Sequence, residues 1–151
     1  MNSATEIAPV VKEVVVAAPV ERAWKVFTSE MGTWWPSETH SVGTARTRDV
    51  VFEARHGGKI FERWDDGTES TWGEIDVWEP PQRVRFSWQP NHDRPAATEV
   101  EVTFVAHGEG TLVRLEHRGW ERLGDEAAES RESYESGWVP VLDRYAGAFQ
   151  K

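Results

Sequence analysis

The chain has 151 residues, 38% hydrophobic and 28% charged, which is enough to bury one sizeable core and too few for two domains of ordinary size. Its formal net charge is −9 and its basic residues are scattered, so no stripe exists to neutralise phosphates and nucleic acid is not an expected partner. Cysteine is absent, which removes disulfides, thiolate nucleophiles and Cys-based zinc sites, and no run of roughly 20 apolar residues is present to insert into a membrane.

Met1 to Ala8 carries Glu6 and neither Lys nor Arg, which does not read as a signal peptide, so a cytoplasmic location is expected. Residues 1–9 read as a flexible N-terminus and residues 10–151 as a single domain. Val10 to Ala17 is rich in β-branched residues, a first strand that stops at Pro19. The period then changes: Val20, Ala23, Trp24, Phe27 and Met31 fall on one helical face, which predicts a short amphipathic helix opened by Pro19 and ended by Gly32. Trp34 begins an irregular segment that runs to about Arg46 and contains His40.

From there to Arg118 the chain reads as strands and turns. Val50 to Ala54, Lys59 to Asp65 and Ser70 to Trp78 are separated by His56-Gly57-Gly58 and by the hairpin pair Asp66-Gly67. Val84, Phe86 and Trp88 alternate with Arg83, Arg85 and Ser87, and Val100, Val102 and Phe104 alternate with Glu99, Glu101 and Thr103. Each is a strand with one buried and one wet face. Leu112 to Arg118 is the last strand. Asp125 to Lys151 returns to helical spacing, with Tyr134, Trp138, Leu142, Tyr145 and Phe149 in one stripe and a bend expected at Pro140. Strands joined by short turns pair antiparallel, and the long helix must cover their apolar face. The expected fold class is α+β: a curved antiparallel sheet of about seven strands wrapped around a long C-terminal helix, with a shorter helix after the first strand.

Several segments carry a resemblance. Ala18-Pro19-Val20-Glu21-Arg22-Ala23-Trp24, Gly58 to Gly67, Gly73 to Pro81 with Val84 to Trp88, Leu115 to Trp120, and Gly137-Trp138 with Leu142 stand in the order seen in the START-like (SRPBCC, helix-grip) superfamily. Within it, the chain resembles bacterial proteins related to the C-terminal domain of the activator of the heat-shock-protein-90 ATPase. The resemblance implies a helix-grip fold around a cavity for lipids or other apolar molecules. Its members range from ligand carriers to cyclases, hydrolases and co-chaperone-like proteins. The eukaryotic activator has an additional N-terminal chaperone-binding domain for which 151 residues leave no room, so chaperone activation is not carried over.

Nine tryptophans in a chain of this length are the most informative feature. Rings that the core cannot absorb would give a cavity flat, polarizable walls. Trp24 belongs to the core by its helical face. Trp35, Trp72, Trp88 and Trp138, with Tyr134, are candidates to line a cavity, with core packing the competing assignment. His117 shares a strand face with Val113 and Leu115 and should point inward, either as a ligand donor or acid/base or as a histidine satisfied by a neighbour. His40 could sit at the cavity mouth. No histidine pair has metal-binding spacing, and no nucleophile elbow or phosphate loop is present, so neither a metal nor a cofactor is expected. The function read from these features is binding of a small hydrophobic or aromatic, lipid-like ligand, in a stress-response or co-chaperone-like role. The competing readings are a cyclase or hydrolase using His117 and a chaperone-interaction module; a chaperone or a second copy of the chain are the candidate macromolecular partners.

Overall fold

The computed structural model describes residues 7–149. Residues 1–6, most of the segment expected to be flexible, and residues 150–151 lie outside them. Seven strands form one antiparallel sheet: β1 (Val10–Val16), β2 (Thr47–Phe52), β3 (Lys59–Trp64), β4 (Glu69–Glu79), β5 (Arg83–Trp88), β6 (Thr98–His107) and β7 (Gly110–Arg118). Their spatial order is β1-β7-β6-β5-β4-β3-β2, so β1 is one edge and β2 the other. Helix α1 (Val20–Phe27) follows β1, and helix α2 (Ala127–Gly147) follows a 3₁₀ turn over Trp120–Glu126.

The alternation seen in the sequence is realised in β5, β6 and β7: Val84, Phe86, Val100, Val102, Phe104, Val113 and Leu115 all point to the core. Their outer faces carry ion pairs, Arg118 to Glu99 and Glu101 at 2.6 Å each among them. The register slips between Thr47 and Asp49, between Ile60 and Phe61, and between Ile75 and Val77. Each irregularity adds local twist and bends the sheet. Gly73 marks the sharpest approach, because a Cβ there would stand 1.7 Å from the Ser87 carbonyl oxygen.

Two helix boundaries differ from the sequence pattern. Helix α1 ends at Phe27 instead of continuing to Met31, because Thr28 Oγ1 donates to the Trp24 carbonyl at 2.8 Å and Ser29 Oγ to that of Lys25. Hydroxyls bonded back onto the last turn compete with its continuation. Helix α2 starts at Ala127 and runs unbroken through Pro140. Pro140 faces solvent, so water can reach the carbonyl that its missing N–H leaves unbonded. The inward face of α2, with Trp138, Val141, Leu142 and Tyr145, joins the core, and the Tyr145 hydroxyl donates to the Ala23 carbonyl of α1 at 2.7 Å. Arg131 of α2 donates to the Ala8 and Pro9 carbonyls, fastening the chain just before β1.

Candidate functional site

Between α2, the end of β5 and the loop before β2 lies a groove of about 320 Å³, open to solvent on one side. This is at the small end of the range for ligand sites. Trp35, Trp88 and Trp138, from three separate elements, form its walls, and Thr39, His40 and Tyr134 also line it. The indoles pack on one another, with Trp88 and Trp138 ring centres 5.5 Å apart and Trp35 6.1 Å from Trp88. Asp, Glu, Lys and Arg are all missing from the lining among the described residues, so the groove offers no charge to an ionic ligand.

What the walls can offer is decided by where their N–H groups go. Trp35 donates to the His40 carbonyl at 2.8 Å, Trp88 to the Tyr134 hydroxyl at 3.2 Å, and Trp138 to His117 Nδ1 at 3.0 Å. An indole has one donor and no acceptor. All three walls have therefore spent their polarity on the protein and present ring faces alone.

His117 stands behind the wall, fully buried, and not in the groove. Because Trp138 can only donate, His117 Nδ1 must accept, and the proton of the neutral ring sits on Nε2. Nε2 lies 2.6 Å from Thr98 Oγ1, which in turn donates to the Trp88 carbonyl at 3.2 Å. The relay runs one way, Trp138 to His117 to Thr98 to β5, and ties two walls of the groove together. Trp88, Trp120, Tyr134 and Trp138 surround the imidazole with no charged group among them. Burial lowers its pKa from 6.5 to about 3. Held neutral with both nitrogens engaged, His117 has neither a lone pair nor a path to a ligand, and the acid/base role considered for it has no support in this geometry; it positions Trp138.

Trp72 is likewise buried behind the groove, 5.1 Å from Trp35, and its indole N–H donates to Glu62 at 2.7 Å. Glu62 was not singled out from the sequence, although its parity with Ile60 on β3 signals an inward side chain. Its carboxylate is fully buried and accepts five hydrogen bonds: from the backbone of Val42 and Gly43, from Thr47 Oγ1, and from Trp64 and Trp72. Burial pushes its pKa up, but the bonds from Val42, Trp64, Gly43 and Trp72 outweigh that and hold it below the ordinary carboxylate range. This cage pins the loop that carries Thr39, His40 and Val42 to the rim. The same loop holds Thr44 at φ 46°, a left-handed conformation costly for a β-branched residue.

At the rim, Thr39 Oγ1 lies 2.7 Å from His40 Nδ1 and 3.3 Å from the Pro36 carbonyl. When the threonine proton goes to Pro36, His40 donates from Nδ1 and Nε2 is left with a free lone pair. Tyr134 accepts from Trp88 through its oxygen, so its own proton is available, and burial raises its pKa. Glu74 is exposed beside buried Ile75. No cluster of three metal-ligating side chains and no helix long and apolar enough to cross a membrane occur among the described residues.

Residues 17–150 match the profile of the family described as activator of Hsp90 ATPase homolog 1-like protein. Among solved structures, an anthrahydroquino-γ-pyrone synthase is 37% identical, with 95% of this chain and 97% of that one covered and a TM-score of 0.63. A Chromobacterium violaceum protein is 19% identical over 95% and 98% of the two chains with a TM-score of 0.68. A Bacillus halodurans protein is 22% identical over 95% and 98% with a TM-score of 0.67. These last two are likenesses of fold alone. Comparison with curated proteins gives no match.

Proposed function

Because the chain belongs to the activator of Hsp90 ATPase homolog 1-like family, we propose that its groove holds a flat, uncharged, aromatic small molecule. The observation that carries this is that Trp35, Trp88 and Trp138 face one open space with every indole N–H already bonded inside the protein. Ring faces without donors or charges favour stacking over ionic or hydrogen-bonded recognition. The 37% identical relative, an anthrahydroquino-γ-pyrone synthase, is named for a product of fused-ring aromatic type, which supports the same ligand class.

Binding is read by titrating dihydroxyanthraquinone and following tryptophan fluorescence, with saturable quenching expected. Trp35→Ala should weaken binding about tenfold or more, the scale of losing one well-packed aromatic contact of roughly 1–3 kcal/mol. Equal affinities for the wild type and this variant would remove the groove as the site.

A second reading, cyclisation of such a ligand, is favoured by the presence in one groove lining of His40, a base through Nε2, and Tyr134, a hydroxyl donor for a developing oxyanion. If the groove catalyses, His40→Ala should lower turnover of an identified substrate by about 10²- to 10⁴-fold with little change in binding. Undiminished turnover in that variant would eliminate His40 as the base.

A further inference from the structure

A second, smaller chamber of about 210 Å³ adjoins the groove beneath the segment from Gln89 to Ala96. Trp88, Pro90, Asn91, Ser133 and Tyr134 border both spaces, so the two are neighbours across a shared wall. The hydrogen bond that closes this wall, Trp88 Nε1 to the Tyr134 hydroxyl, is 3.2 Å long, against 2.7 to 3.0 Å for the Trp34, Trp35, Trp64, Trp72, Trp120 and Trp138 indoles. It is the weakest fastening among them, and it binds the two groups that would have to part for the spaces to join.

The chamber differs from the groove in chemistry. Gln89, Asn91, Thr98, Ser130 and Ser133 bring amides and hydroxyls to its lining. Ser130 is 6% exposed, yet its hydroxyl makes no hydrogen bond among the described residues. No side-chain polar atom sealed from solvent lacks a partner among those residues, so the Ser130 oxygen is reachable by solvent, and the space that Ser130 lines is this chamber. A residue nine-tenths buried whose unbonded hydroxyl opens on a chamber has a place for a ligand's polar atom beside it.

We infer that the ligand has two parts: a flat aromatic nucleus stacked in the groove, and a short, neutral arm bearing a hydroxyl or keto group that reaches past Tyr134 to Ser130. This rests on the groove being the site of the aromatic nucleus, as proposed above. Tyr134 then acts as a specificity-determining residue, its ring yielding to an arm and closing behind a ligand that has none. The uncharged side chains that reach the chamber, apart from Arg94, select against an acidic or basic arm; Arg94 itself is taken by an ion pair with Glu126.

Two probes separate this from the groove itself: dihydroxyanthraquinone, and the same nucleus carrying a four-carbon hydroxyalkyl chain. Wild-type protein should bind the armed probe at least tenfold more tightly by tryptophan quenching. Ser130→Leu, which fills the chamber, should abolish that gain while leaving the affinity for the bare nucleus unchanged. Ser130→Ala, which deletes only the hydroxyl, should keep part of it, and guards against a folding defect in the bulkier variant. Equal affinity of the wild type for both probes, or a matching loss for both in Ser130→Leu, overturns the two-part ligand while leaving the groove intact. Failure of the bare nucleus to bind wild-type protein overturns the groove assignment and this inference with it.

Discussion

Replacing Glu62 with Gln is expected to destabilise the protein by about 3 kcal/mol or more, the scale seen when one partner of a buried charged network is changed. The change is nearly isosteric, so packing is not the cause. One carboxylate oxygen accepts from Val42 and Trp72, the other from Gly43, Thr47 and Trp64. Whichever way the glutamine amide turns, its NH₂ group meets at least two donors that now have nothing to bond, and leaving buried donors unsatisfied costs about 1–3 kcal/mol apiece. For a chain of this size the melting temperature should fall by roughly 10 °C. Urea unfolding monitored by tryptophan fluorescence gives the free energy directly. The quinone affinity should fall as well, because the loop carrying His40 loses its anchor. A Glu62→Gln protein as stable as the wild type would show that the five bonds are dispensable.

The second expected result concerns acid. His117 is neutral in the folded chain with a pKa lowered to about 3, while in the unfolded chain it returns to its ordinary 6.5. The unfolded state therefore takes up a proton that the folded state refuses. The stability due to neutral His117 is complete above 6.5 and is lost as pH falls from 6.5 toward 3. Between about pH 6.5 and pH 5 the loss amounts to about 2 kcal/mol, at roughly 1.4 kcal/mol per pH unit. Glu62 and Glu101 are both held below the ordinary carboxylate range and stay charged throughout that interval. In His117→Gln, whose amide can still accept from Trp138 and donate to Thr98, this part of the acid sensitivity should vanish even if stability at pH 7 drops. Parallel stability curves for the two proteins over that interval would falsify the neutral-imidazole relay.

The sequence showed the sheet more clearly than the site, and particular residues explain the difference. Val84, Phe86 and Trp88 or Val100, Val102 and Phe104 declare their face by strict alternation, and hydrophobic burial then enforces it. The apolar period alone carries helix α1 on to Met31, whereas the hydroxyls of Thr28 and Ser29 decide where it stops. The tryptophans divide for a reason that no pattern carries: core and groove call for the same residue types, and only the approach of β5, α2 and the loop after α1 separates Trp35, Trp88 and Trp138 from Trp72. For His117 the inward direction was readable from Val113 and Leu115, but its partners Thr98 and Trp138 come from β6 and α2. Glu62 shares its parity with Ile60, but a carboxylate so placed makes sense only once five donors converge on it.

The internal commitment of the three wall indoles sets how this protein could diversify. If the groove holds an aromatic guest as proposed, the indole walls sense its thickness and outline, and hydroxyls or methoxyls can be read only where they meet polar lining such as His40, Asn91, Ser133 and Tyr134. Congeners that differ in oxygenation only where the ring system lies against the indoles should compete for it on nearly equal terms. Selectivity among them would be rewritten by exchanging residues along the rim and in the side chamber, while the aromatic walls and the buried relay behind them are retained.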